Sequence, residues 1–185
     1  MIDDRTVSNL YDLHGRELLI YIYGFVRSRE TAEDILHDAF IKLIRYSLNH
    51  PVDESNIRAF LYRISRNLCI DYSRKHQREH EASLHENIEY PGSDALQRDV
   101  EYNELRQKVD DLVAKKDPLS RSVYIMRNEL SLTYEEIAKN LGISERTAIR
   151  KMKAMVEYLS ESLEKYGFKL FLLILLAVIA LKIVI

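Results

Sequence analysis

Residues 132–152 read LTYEEIAKNLGISERTAIRKM, and nearly every position in them has a task that local chemistry assigns. Thr133 stands three residues before Glu136, the spacing at which a hydroxyl and a carboxylate cap each other's backbone at the start of a helix. Ile137, Ala138 and Leu141 supply its apolar positions. Gly142 stands where such a helix ends on a left-handed residue, Ile143 fills the turn, and Ser144 caps the helix that follows. This is the spacing of a helix-turn-helix. The second helix turns Ala148, Met152 and Met155 inward and presents Glu145, Arg146, Thr147, Arg150, Lys151 and Lys153 outward. Positive side chains near the start of such a helix suit a major groove, where Arg bonds guanine edges and Thr and Lys hold phosphates. A helical hairpin with a solvated basic face is the plainer alternative. The caps, the turn glycine and the small Ala138 fall in one register, which favours DNA binding.

Upstream of this motif the pattern stays helical. Glycine and proline are scarce, at 5 and 3 of 185 residues, and apolar residues recur at spacings of three and four. Leu10, Leu13, Leu18, Ile22 and Phe25 can share one side of a first helix. A second, over residues 30–46, is expected to be capped by Thr31 and to bury Ile35, Ala39 and Leu43, with Leu36 and Phe40 alongside. Pro51 disfavours helical geometry at His50 and breaks the chain there. A third helix is expected from about residue 55 to 77. Its side chains Phe60, Leu61, Ile64, Leu68 and Ile70 form a buried side, while Arg58, Arg63, Arg66, Arg74, Lys75 and Arg78 form a basic surface with Tyr62 and Tyr72 interleaved. Cations for phosphates and rings for bases are what an unstacked single strand needs, although a charged helix face is often only solvated.

Residues 80–97, HEASLHENIEYPGSDALQ, lose the periodicity and hold the Pro-Gly pair, so they read as a linker between two compact units. The expected fold class is all-α: two small helical domains joined by a flexible linker, over residues 1–78, 79–98 and 99–163, with a hydrophobic helix at 168–185. The net charge of -2 conceals a chain in which 30% of residues are charged. Cys69 stands alone, which excludes an intramolecular disulfide, and MIDDRTVSNL is polar where a signal peptide would be basic and then apolar. A body in the reducing cytoplasm is expected. No metal-spaced Cys or His cluster, glycine-rich phosphate loop or nucleophile with a base is found, and His76, His80 and His85 read as solvated. Neither catalysis, a cofactor nor a metal is expected.

Three stretches in order, AEDILHDAFIKLIRY at 32–46, IRAFLYRISRNLCIDYSRK at 57–75 and the helix-turn-helix at 132–152, resemble the extracytoplasmic-function group of bacterial sigma factors. The resemblance covers about residues 5–163. It implies a first domain, sigma domain two, that binds core RNA polymerase and melts the minus-ten element of promoter DNA. It implies a second, sigma domain four, that reads the minus-thirty-five element as duplex. By position it assigns Asp34, Leu36, Asp38, Phe40 and Lys42 to polymerase binding. Asn56, Arg58, Tyr62, Arg63, Arg66, Asn67, Asp71 and Arg74 fall to promoter melting, with the loop at 49–54 receiving a flipped base. Ser144, Arg146, Thr147, Arg150 and Lys151 fall on the recognition helix. The resemblance also admits an anti-sigma factor as a partner. Departures from the family pattern are Ile44 and Phe60 where tryptophan is common, His37 for a frequent glutamine, Ala148 for a larger β-branched residue and Ala154 for an Arg. They bear on the promoter sequence. A duplex-binding regulator that works without polymerase is the alternative reading, and a protein-binding adaptor a third.

Nothing in that family requires FKLFLLILLAVIALKIVI, residues 168–185. As a helix it would reach about 27 Å at roughly 1.5 Å per residue, close to a hydrocarbon core of about 30 Å. Lys165 and Lys169 flank the side nearer the body, as the positive-inside rule expects, and Lys182 can snorkel outward. The expectation is a tail anchor holding a cytoplasmic body against the inner face of the cytoplasmic membrane, with a self-masking or partner-bound segment and an ordinary core helix as alternatives.

Overall fold

A computed structural model describes residues 4–80 and 98–165. In chain order they form α1 (Asp4–Val26), α2 (Arg29–Asn49), a single 3-10 turn (Glu54–Asn56), α3 (Ile57–His80), α4 (Arg98–Ala114), α5 (Pro118–Asn128), α6 (Tyr134–Leu141) and α7 (Glu145–Lys165). The described residues contain helices and no strand, as the periodicity implies. No described helix is long and apolar enough to cross a membrane. The expected tail helix at 168–185 lies outside the described residues, and so do residues 81–97 of the linker expected over 79–98, whose ends belong instead to α3 and α4.

The corner between α1 and α2 occupies two residues. Arg27 takes a positive φ of 57°, and Ser28, extended, caps α2 by accepting a hydrogen bond from the Thr31 amide at 3.3 Å. Thr31 was the expected cap; it stands inside the helix instead, its hydroxyl 3.0 Å from the Ser28 oxygen. At the other end His50 is extended, with φ -138° and ψ 140°, as the following proline requires. Leu18, Tyr21, Ile22 and Phe25 of α1 pack on Leu36, Phe40 and Leu43 of α2 and on Ile57, Leu61, Tyr62 and Cys69 of α3. Leu13, expected on the same stripe, is 71% exposed.

After the linker, Asp117 caps α5 by accepting from the Ser120 amide at 3.0 Å, with Pro118 at the first helical position, where its missing N–H costs nothing. The helix-turn-helix forms as its sequence implies. Thr133 and Glu136 make the reciprocal capping box, Gly142 is left-handed at φ 66°, and Ser144 accepts from the Thr147 amide at 3.2 Å. Leu105, Leu112 and Val113 of α4 lie against Met155, Leu159 and Leu163 of α7.

Helices from both sides of the linker share one core. The cluster built on α1–α3 continues into Val123, Ile125 and Met126 of α5, Ile137 of α6, and Ala148 and Met152 of α7. Gly24 makes this possible: a Cβ there would sit 2.9 Å from three carbons of the Ile125 side chain. Around that contact Tyr21 and Ser122 share a buried hydrogen bond of 2.8 Å, Arg121 donates to the Phe25 carbonyl at 2.8 Å, and Arg27 pairs with Asp110. The two parts expected as separate compact units are thus packed against each other.

Candidate nucleic-acid interface

The face of α3 that looks outward carries Arg63, Asn67, Asp71 and Arg74, each exposed and spaced at three or four residues, so they rise along one side of the helix. Arg66 stands half-buried beside them. At the base of this row Asn56, in the 3-10 turn, donates to Asp53 at 2.7 Å, and Ser55 donates to the same carboxylate through its amide and hydroxyl at 2.9 and 2.8 Å. Those bonds hold the Asp53 carboxyl below its usual range and fix the loop that follows Pro51.

Next to the row is a cleft of about 560 Å³. Tyr46, Phe60, Asn56, Arg63 and Arg66 line it from the first half, and Lys139, Asn140 and Leu141 of α6 with the turn residue Gly142 wall it from the second. Tyr46 and Phe60, which line it, belong to a ladder of rings. His50 lies on Tyr46 at 4.5 Å and 12° between planes, Tyr46 meets Phe60 at 4.7 Å, and the Arg63 guanidinium stands 5.0 Å from the Phe60 ring. Sequence reasoning gave Tyr46 no role; its signal was an aromatic residue on the polar side of α2, four residues before His50. A solvent-exposed ring beside cations can stack an unpaired base.

Two members of the expected melting surface are placed otherwise. Tyr62 is fully buried, its ring edge-on to Tyr21 at 5.0 Å and 5.9 Å from the Arg58 guanidinium, so it presents no surface on which a base could stack. Its position four residues after Arg58 falls on a second inward side of α3, with Ser65 and Cys69, that faces α1 and α5. Arg58 is held by both oxygens of Glu17, at 2.9 and 2.7 Å, and comes within 3.8 Å of Glu136 on α6. Burial raises the Glu17 carboxyl, but His14 and Arg58 outweigh it and leave it below the ordinary value.

On α2, Asp34, Asp38 and Lys42 are exposed one turn apart on a single side, whereas Leu36 and Phe40 belong to the core beneath. On α7, Arg146 and Arg150 are exposed and Thr147 is half-buried, its hydroxyl 2.8 Å from that of the capping Ser144. Lys151 reaches back to both oxygens of Asp117 at 3.2 Å. Burial raises that carboxyl, yet Ser120 and Lys151 together keep it below the usual range. Among the described residues no three His, Cys, Asp or Glu side chains are grouped to hold a metal ion.

Residues 10–79 match the family described as Sigma-70 region 2, and residues 106–153 match Sigma-70, region 4. The RNA polymerase sigma factor YlaC of Bacillus subtilis (strain 168) is 32% identical over 145 residues, which cover 75% of this chain and 81% of that protein. The ECF RNA polymerase sigma factor SigX of the same organism is 25% identical over 148 residues, covering 77% and 75%. Among solved structures the fold is similar to CnrH, in complex with the cytosolic domain of CnrY, with a TM-score of 0.61 at 20% identity over 88% of this chain and 90% of that one. It is similar also to the sigma factor RpoE in complex with the anti-sigma factor NepR from Bartonella quintana, with a TM-score of 0.60 at 19% identity over 85% and 96%. With both regions matched in order and a curated relative aligned across most of its length, the chain belongs to the RNA polymerase sigma factors of the sigma-70 family, in their extracytoplasmic-function group.

Proposed function

We infer that the chain directs core RNA polymerase to its promoters by trapping melted DNA along α3. The observation that carries this reading is the exposed row Arg63, Asn67, Asp71 and Arg74 running beside the cleft of Tyr46 and Phe60. Extruding a base costs a few kcal/mol, and stacking it on a ring while cations hold the flanking phosphates offsets that cost. Binding energy opens the duplex, and the chemistry of RNA synthesis belongs to polymerase. Arg146 and Arg150 read the upstream duplex, with Ser144 and Thr147 fixing the start of α7 and Lys151 its base. Asp34, Asp38 and Lys42 meet polymerase, while Leu36 and Phe40 hold α2 in place from beneath.

The packed arrangement is the resting form in this reading. Residues 139–142 wall the cleft and Glu136 approaches Arg58, so a strand entering the cleft meets α6. Polymerase binding on α2 then has to be accompanied by release of the second half from the first. An anti-sigma factor is a proposed partner, supported by the likeness to RpoE, which was solved with one. The tail at 168–185 is proposed to anchor the chain to the cytoplasmic membrane, supported by its apolar sequence between Lys165 and Lys182. Cleavage between Leu159 and Lys169 would release it.

Run-off transcription with purified core polymerase and a promoter library tests the main reading. Transcripts should depend on the chain and vanish when Arg66, Asn67 and Arg74 are together changed to Ala, with polymerase binding retained. Tight duplex binding by the chain alone, and no transcript, would make it a regulator of another kind. Cell fractionation of the full chain against one ending at Gly167 tests the anchor, and equal promoter activity of the two in cells would remove its regulatory role.

A further inference from the structure

A second cleft, of about 930 Å³, opens where α3, α4 and α5 meet, and of the residues that line it only Arg74 belongs to the row assigned to promoter DNA. Phe25 and Arg74 line it from before the linker, and Lys108, Lys115, Lys116 and Arg121 from after it. Asp111 is the one carboxylate among its described lining residues.

Arg121 gives the cleft its meaning. The side chain is only 8% exposed, lies over the Phe25 ring at 4.5 Å and donates through Nη2 to the Phe25 carbonyl at 2.8 Å. Its Nε has no hydrogen-bond partner, and no carboxylate among the described residues pairs with it. Burial, together with the charge of Arg27, pushes the guanidinium below its ordinary value. A buried cation without a counter-charge is costly, and the wall it stands in faces a cleft rimmed by further cations that concentrate anions. The Lys116 ammonium lies 3.8 Å from the Tyr158 ring, so the cations that count are Arg121, Arg74 and Lys115; Arg and Lys groups lining one cleft suit an oxyanion of more than one charge, and phosphate matches the Arg fork. The volume is that of a nucleotide-sized ligand.

We propose that this cleft binds a free phosphorylated anion, with Arg121 as its buried counter-charge and Lys115 on its rim. Because both halves line the cleft, an occupant bridges them and favours the packed form.

The test is calorimetric titration and thermal unfolding of the full chain in mild detergent, with inorganic pyrophosphate as probe and chloride at matched ionic strength as control. One pyrophosphate should bind per chain, and the unfolding midpoint should rise by about 5 °C or more at a hundredfold excess over the dissociation constant. Lys115→Glu, on the exposed rim, should keep its midpoint in chloride and bind pyrophosphate about tenfold more weakly, the effect of reversing one nearby charge. Arg121→Gln should abolish binding; since that change can disturb the core, Lys115→Glu decides. No shift with pyrophosphate, or an equal shift in Lys115→Glu, overturns the proposal. A short single-stranded oligonucleotide that displaces pyrophosphate and loses the same tenfold in Lys115→Glu would assign the cleft to DNA phosphates and overturn it as well. Pyrophosphate binding seen only after Glu86, Glu89 and Asp94 are changed to amides would mean that the chain's own carboxylates occupy the site, and the proposal would again be overturned.

Discussion

Replacing Gly24 by Ala sets two effects of opposite sign against each other. In a helix interior Ala is favoured over Gly by about 0.8–1 kcal/mol, so on an isolated α1 the change stabilises. In the packed chain the new methyl would stand 2.9 Å from the Cγ1, Cγ2 and Cδ1 atoms of Ile125. Ile125 is fully buried, and overpacking of this kind costs about 1–3 kcal/mol. The net expectation is a loss of roughly 1 kcal/mol, read by urea unfolding followed through helical circular dichroism. Ile125→Val removes one of the clashing methyl groups. Alone it should cost about 0.5–1.5 kcal/mol, but combined with Gly24→Ala it should cost less than the sum, a coupling that only contact between these two residues produces. A Gly24→Ala chain more stable than the parent, with additive behaviour in the double variant, would refute the shared core: α1 would then be meeting solvent where α5 is placed.

Three further outcomes follow from the site. Glu17→Gln should lower stability at neutral pH by about 1.5–3 kcal/mol, the range for hydrogen bonds to charged groups. Because the Glu17 carboxyl is held below its ordinary value of 4.5, the stabilisation is present above that pH and fades as pH falls through the lower folded value, so the parent and variant unfolding curves should converge in acid. Asp117→Ala removes the α5 cap and the partner of Lys151 together and should cost at least about 1 kcal/mol by the same unfolding assay. Tyr46→Ala should weaken binding of a single-stranded minus-ten fragment to the chain on polymerase by about 1–3 kcal/mol, and an unchanged affinity would move the base-stacking role off this ring.

The helix-turn-helix was legible residue by residue because its determinants are local. Thr133, Glu136, Gly142 and Ser144 act on backbone groups within four positions of themselves, and all four do in the structure what their spacing implies. The row on α3 was legible for the same reason, since Arg63, Asn67, Asp71 and Arg74 need only helical periodicity to share a face. Tyr62 was misread because α3 is buried on more than one side: a single apolar stripe accounts for Leu61, Ile64 and Leu68, and nothing local announces a second through Tyr62, Ser65 and Cys69. The packing of the two halves is set by pairs such as Gly24 with Ile125 and Tyr21 with Ser122, about a hundred residues apart, for which one sequence carries no pattern. Gly24 was visible only as a glycine inside a helical stretch. The site therefore reads from sequence as a set of surfaces, and only the structure shows that one of them is walled by the other half.

Cys69 lies on that second side of α3, fully buried, and burial pushes its thiol up to about 12 against the opposing charge of Arg121 on α5. The thiolate is the form that attacks alkylating reagents, so in the packed chain the only sulfhydryl should react slowly. If polymerase parts the halves as proposed, the rate of alkylation should rise from a slow value in the free chain when the two are mixed. Cys69 would then serve as a built-in reporter of that step, read by a stopped-flow thiol assay without any added label.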